Sequence, residues 1–164
     1  PKRLASPVAE FPAAVLQGLG AEPLQVLRSD QAWFAIYADA ATVASLTPDM
    51  QQLKQLGPWD VVVTAPGTGF VPETPATQDN PDAAPQYDFI SRYFWPANGG
   101  DEDPVTGSIH AGLTPYWAEV LGKNQLLAYQ ASTRGGVLRL EISGDRVLVS
   151  GQAVLYLKGE IEVG

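Results

Sequence analysis

A chain of 164 residues, 45% hydrophobic and 17% charged, has the composition of one packed domain, or of one large lobe of a bigger protein. Ten basic against 18 acidic side chains leave a formal net charge of -8 with no basic run, which argues against nucleic-acid and anionic-membrane surfaces. Cysteine is absent, which removes disulfides, thiolate metal sites and every cysteine acid, base or nucleophile.

In chain order, "SPVAEFPAAVLQGLG" predicts a helix with Ser6 as cap, Pro7 at the first position and Gly20 as its left-handed exit; Pro12 leaves the start open. Residues 24–29 and 32–38 read as two strands joined by Ser29-Asp30-Gln31. "ADAATVASL" and "TPDMQQLKQLG" follow as short helices, the second capped by Thr47, opened by Pro48 and stopped at Gly57. The β-branched run "DVVVTAP", residues 60–66, predicts a buried strand. Residues 67–85 are a Pro/Gly-rich excursion without usable period, long for a loop in a compact domain, and a candidate cover for a cleft.

"QYDFISRYFW" alternates as a strand, and "TGSIHAGLTPYWAEVLG" predicts a helix entered at Thr106 or Ser108 and stopped at Gly122. Pro115 inside it predicts a kink or a freed carbonyl. From Gln125 to the end the chain is strand-rich, with Ser143-Gly144-Asp145 as a hairpin turn. The sum is a mixed α+β fold of antiparallel strands with helices on one face. No apolar run approaches the roughly 18 residues of a membrane helix, and nothing suggests secretion, so a cytoplasmic location is expected. The opening Pro1-Lys2-Arg3 lacks an initiator methionine and reads as the downstream part of something longer.

The candidate chemistry gathers in "GGDEDPVTGSIHAG", residues 99–112. Gly107 and Ser108 fall at a helix entry, where free N–H groups and the positive dipole end suit a substrate carboxylate. Spacing alone favours a simple Thr/Ser helix cap after a proline turn. Asp103 precedes Pro104 and is pushed to extended backbone beside that entry, poised to orient an amine or hydroxyl, while Glu102 should point away. The same three acids also fit a solvated charge run. His110 is the only histidine, which makes a protein-only metal site improbable; of acid–base chemistry and a hydrogen bond to a helix neighbour, spacing alone favours the structural bond. In "QASTRGG", Arg134 fits a substrate carboxylate, a pairing with Asp103 or plain exposure in a hairpin, and Gly135-Gly136 allow positive φ or close backbone approach.

The ordered set Arg92-Tyr93-Phe94-Trp95-Pro96, Gly99, Glu102-Asp103-Pro104-Val105-Thr106-Gly107-Ser108 with His110, Pro115-Tyr116-Trp117, Gln130-Ala131-Ser132, Arg134-Gly135-Gly136 and Gly144-Asp145-Arg146-Val147 resembles the phenazine-biosynthesis PhzF-like family of isomerases and epimerases. The resemblance is dense over residues 88–160 and looser over 1–66. It implies one lobe of a diaminopimelate epimerase-like fold: a curved, mostly antiparallel sheet around a central helix that begins near Gly107 and points into a cleft between two lobes. It also implies Asp103 as a substrate-orienting group, with Gly107, Ser108, His110 and Arg134 toward substrate, and no cofactor or metal. The family's principal glutamate acid/base and its Gly-His-Ala-Thr segment have no counterpart here. The expectation is therefore a C-terminal half, residues 1–164, whose N-terminal lobe lies outside this sequence and which alone is inactive. The implied reaction is cofactor-independent proton transfer on a small carboxylate-bearing metabolite. The alternatives are a non-catalytic half-fold that binds a carboxylate or a protein, and a homodimer of half-lobes.

Overall fold

The computed structural model describes residues 1–72 and 86–162. A nine-stranded sheet carries four helices. The elements are β1 (Ser6–Pro7), α1 (Ala13–Leu19), β2 (Gln25–Arg28), β3 (Ala32–Ile36), α2 (Ala40–Ser45), α3 (Met50–Lys54), β4 (Asp60–Pro66), β5 (Phe89–Trp95), β6 (Gly100–Glu102), α4 (Gly107–Leu121), β7 (Gln125–Gln130), β8 (Gly136–Ser143) and β9 (Arg146–Ser150). The strand order is β1-β2-β3-β4-β5-β7-β8-β9, with β6 paired to β5. Only β3–β4 and β5–β7 are parallel; the remaining pairs are antiparallel.

Period-two alternation sorts the strands into two cores. Trp33, Ala35, Val61, Val63, Ala65, Ile90 and Phe94 face α1, α2 and α3. Phe34, Ile36, Val62, Phe89 and Tyr93 face α4. Helices therefore cover both faces, not one as the sequence predicts. This explains why β4 reads as an unbroken β-branched run, since a strand covered on both sides has no polar face to show. On α4, Ile109, Leu113 and Trp117 form one stripe at four-residue spacing, each at most 2% exposed. Burying each contributes about 1.5–3 kcal/mol.

Several predicted boundaries are corrected. Ser6 and Pro7 form an edge strand against Arg28 and Leu27, and the first helix starts only after Pro12, at Ala13. The third helix is capped not by Thr47 but by Asp49, which accepts from the N–H groups of Gln51 and Gln52 at 2.9 and 3.2 Å. The strand-rich region ends with β9 at Ser150, and residues 151–162 lie exposed outside the sheet. The third helix also ends at Lys54 with Gln55 as its cap, short of the predicted stop at Gly57, and β6 is a strand that the sequence does not predict. Three bounds agree: α4 ends on Gly122 at φ 63°, the first helix on Gly20 at φ 70°, and β8 and β9 meet across Gly144-Asp145.

Pro115 frees a carbonyl on α4. It lacks an N–H for Ala111, whose oxygen instead accepts from the Arg3 N–H at 2.9 Å. Lys2 N–H also bonds the Asp145 oxygen at 2.8 Å, so residues 2 and 3 reach from the β1 end of the sheet across α4 to the β8–β9 turn. Most of the excursion at 67–85 lies outside the described residues, including the part predicted as a cleft cover. Among the described residues no helix is long and apolar enough to cross a membrane.

Candidate active site

The site is built where α4 begins. The Ala111 carbonyl is tied down by Arg3, but the helix entry is open. Thr106 stands at the cap position without using its side chain as a cap. Its hydroxyl instead donates to Asp103 Oδ2 at 2.5 Å, which fixes the carboxylate beside the first helical turn. Gln130, fully buried at the end of β7, locks the same loop from below. Its Oε1 accepts from the Thr106 N–H at 2.8 Å, and its Nε2 donates to the Asp103 carbonyl at 2.8 Å and to Thr106 Oγ1 at 3.2 Å. The Asp103 N–H closes the frame on the Tyr93 carbonyl at 3.0 Å.

Gly107 and Ser108 are exposed, and a Cβ built on Gly107 would meet no atom within 4 Å. Packing therefore does not demand glycine there, whereas close approach of a ligand to the helix entry would use one. Ser108 Oγ accepts from Gln31 Nε2 at 3.0 Å, which leaves its own proton to donate outward. The same amide donates to the Tyr93 hydroxyl at 2.9 Å, and Tyr93 in turn donates to Asp60 Oδ2. Asn98 holds the other Asp60 oxygen at 2.7 Å. Burial, then the bond to Asp60, push the Tyr93 phenol above its ordinary range, so it stays protonated and acts as a donor.

The three acids separate. Asp101 is exposed. Glu102 turns to the opposite face and takes Arg92 in a two-pronged pair at 2.8 and 3.0 Å, while Arg92 Nη1 bonds the Leu46 carbonyl at 2.7 Å at the end of α2. Only Asp103 is directed to the α4 entry. The triplet is thus not a solvated run.

His110 is corrected as a substrate contact. It is 0% exposed, stacks on Phe89 at 6.0 Å, and its Nδ1 bonds the Thr106 carbonyl at 2.7 Å. Burial pushes it down to about 4, so it sits neutral beneath the loop and supports it from inside the core. Among the described residues Nε2 has no hydrogen-bond partner.

Arg134 is exposed and makes no ion pair with Asp103 among the described residues. Its loop is nevertheless tied to the site: Ser132 Oγ donates to the Pro104 carbonyl at 2.7 Å. Gly135 has φ 68°, and Gly136 lies so close to Val105 that a Cβ would sit 2.4 Å from its methyl. A cavity of about 570 Å³ opens here between Val105, Arg134, Gly136 and residues 151–154. Among the described residues no cluster of three metal-binding side chains occurs.

Gln31, Asp60 and Tyr93 escape a linear reading. Gln31 looks like a turn residue between two strands, and Ser108 lies 77 positions away. Only the packing of the β2–β3 turn against the α4 entry brings them together.

The family described as phenazine biosynthesis-like protein matches residues 7–159. An uncharacterized isomerase of Halalkalibacterium halodurans is 40% identical over 151 residues, 92% of this chain and 51% of that protein. One of Pseudomonas aeruginosa is 38% identical, over 93% of this chain and 52% of its own length. A solved PhzF-family phenazine biosynthesis protein from Enterococcus faecalis superposes with a TM-score of 0.80 at 35% identity, covering 99% of this chain and 56% of its own. A PhzC/PhzF protein from Clostridium difficile gives 0.78 at 32%, covering 99% and 56%. The chain spans about half the length of the curated relatives it matches. The family match runs over nearly the whole chain, so the expectation that it resembles the family's C-terminal half only is corrected. The chain belongs to the phenazine biosynthesis-like protein family, PhzC-PhzF.

Proposed function

We propose that this chain supplies the substrate-orienting side of an isomerase or epimerase site that moves a proton on a small carboxylate-bearing metabolite without a cofactor. One observation carries the reading: Asp103 is locked by Thr106 and Gln130 beside the open, unblocked helix entry at Gly107-Ser108. A substrate carboxylate binds the free N–H groups and the Ser108 hydroxyl, and Asp103 accepts a bond from a neighbouring amine or hydroxyl. Held this way, the activated carbon faces outward. A base removes its proton, and the electron pair delocalises into the adjacent carbonyl system. A proton then returns to another face or position, so atoms balance without an external reactant. The acid/base itself belongs to a complementary lobe, as expected for a chain of about half its relatives' length. The names of those relatives as isomerases support the reaction class.

The test follows deuterium incorporation from heavy water into a panel of small carboxylates by NMR, using the chain assembled with a complementary lobe. Asp103→Asn is expected to slow exchange by about 100-fold or more, and Ser108→Ala by about tenfold. Exchange that ignores both substitutions overturns the reading. Carboxylate binding without any exchange in the assembled protein would instead favour a non-catalytic binding fold.

A further inference from the structure

Gln31 stands between two groups that hydrogen-bond in one sense only. On one side is Arg3, whose guanidinium has donors and no acceptor; its Nη1 donates to Gln31 Oε1 at 3.3 Å. On the other is Asp60, which opens β4 beside Gln31, its N–H bonding the Gln31 carbonyl at 3.2 Å. The Asp60 carboxylate has acceptors and no donor. Asn98 fills Oδ1 at 2.7 Å, and the buried Tyr93 donates its hydroxyl proton to Oδ2. With that proton committed, Tyr93 meets Gln31 with lone pairs alone. Gln31 Nε2 accordingly donates to the Tyr93 hydroxyl at 2.9 Å and to Ser108 Oγ at 3.0 Å. Turning the amide over would set its oxygen against the Tyr93 lone pairs and its NH2 group against the Arg3 donors. The amide is oriented from both ends, and Ser108 receives a proton from it rather than giving one. The Ser108 proton is left for the open side of the α4 entry.

We infer that Gln31 is a specificity-determining residue, which holds Ser108 as a donor only and so restricts the α4 entry to ligand groups that bear acceptors alone. This rests on the carboxylate reading above and deepens it, because it separates carboxylates from their carboxamides. A carboxylate offers lone pairs from both oxygens to the first-turn N–H groups and to the Ser108 hydroxyl. A carboxamide satisfies them through its carbonyl oxygen alone, and its NH2 group is left facing donors. A Ser108 released from Gln31 would lose that preference, since its lone pairs could accept from the NH2 group. Gln31 is a positioning residue in this scheme: it touches no ligand and acts through Ser108.

The test titrates the full chain with an isosteric pair, glycolate and glycolamide, at constant ionic strength, and follows the backbone amide NMR shifts of Gly107 and Ser108. The wild type is expected to bind glycolate about tenfold or more tighter than glycolamide. Gln31→Met removes the amide without adding charge. Gln31→Glu keeps the acceptor for Arg3 but takes the Ser108 proton for itself. In both variants glycolamide is expected to bind about threefold or more tighter than in the wild type, the worth of one neutral hydrogen bond gained. In Gln31→Glu glycolate should also lose about tenfold or more. A Gln31 that merely braces the turn would weaken both ligands together, and added negative charge alone would not tighten a neutral one. Glycolamide binding that rises in neither variant overturns the proposal, and so does a wild type that binds the two compounds equally. A wild type that binds neither removes the carboxylate reading and this proposal with it. The expected shift in preference, in a chain whose assembled form moves no substrate proton, leaves the role of Gln31 standing and removes the isomerase reading instead.

Discussion

Arg3 takes the place on α4 that Pro115 vacates. The proline strips the helix of the amide that would bond the Ala111 carbonyl, and the Arg3 N–H fills that carbonyl at 2.9 Å. Gly112 makes room for the approach, since a Cβ there would lie 2.9 Å from the Arg3 oxygen and 2.9 Å from the Phe34 ring. Deleting residues 1–5 should therefore cost about 0.5–1.5 kcal/mol in denaturant unfolding, the range for one lost hydrogen bond at a half-buried carbonyl. Pro115→Ala in the truncated chain should recover part of that loss, because the new N–H serves Ala111 from within the helix. In the intact chain the same substitution should gain less, as Arg3 already holds the acceptor. Equal effects in both backgrounds would show that the two residues are not coupled.

His110 makes stability pH-dependent. Burial holds it at about 4 in the folded chain against 6.5 when exposed. Below pH 6.5 the unfolded chain takes up a proton that the folded chain refuses, so stability is full above that value and falls as pH drops toward about 4. Unfolding free energy should drop by roughly 1 kcal/mol between about pH 7.5 and about 5.5 from this group alone. His110→Asn keeps a donor near the Thr106 carbonyl and removes the titration. Its stability should be lower at neutral pH but flatter across this window. An unchanged slope in the variant would assign the acid sensitivity to other groups.

Much of the site's frame was legible in the sequence because its signals are local. A glycine stop at 122, a proline at 104 and a two-residue turn at Gly144-Asp145 each act within a few residues, and α4 and the last hairpin lie where they predict. Ser6-Pro7 misled for the same reason: it has the chemistry of a helix start, but pairing with Leu27 and Arg28 won. The alternation after Gly151 suggested a further strand, yet the strands end at Ser150, because period alone does not supply a pairing partner. Gln31 and Asp60 were silent, since their roles arise from contacts 77 and 33 residues away. The acids at 101–103 show the limit most clearly. Their sequence suggested different directions, but only Arg92, fixed on β5, settles where Glu102 goes.

Gly135 is required twice over. At φ 68° its backbone strains any L side chain, and a Cβ would lie 1.9 Å from the Tyr129 hydroxyl. Gly135→Ala should destabilise the chain by about 2–4 kcal/mol, read by thermal or denaturant melting. Tyr129→Phe should relieve only part of this, because the ring carbon itself stands 2.7 Å from the added atom and the backbone strain remains. Full rescue would mean that the hydroxyl contact alone dictates the glycine.

Gln130 is the residue through which stability and function should separate most clearly. One buried amide serves the Thr106 N–H, the Asp103 carbonyl and the Thr106 hydroxyl, and that hydroxyl holds the Asp103 carboxylate. Gln130→Leu fills the space but leaves two backbone groups unpaired, at a cost of about 2–4 kcal/mol. Gln130→Glu keeps the size and the acceptor for Thr106 but loses the donor to Asp103. Where both variants are still folded by circular dichroism, proton exchange at substrate carbon should fall about tenfold or more, with weaker loss of carboxylate binding, because the helix entry at Gly107-Ser108 survives while Asp103 loses its aim. Equal loss of binding and exchange would mean that Gln130 holds the entry itself rather than the carboxylate beside it.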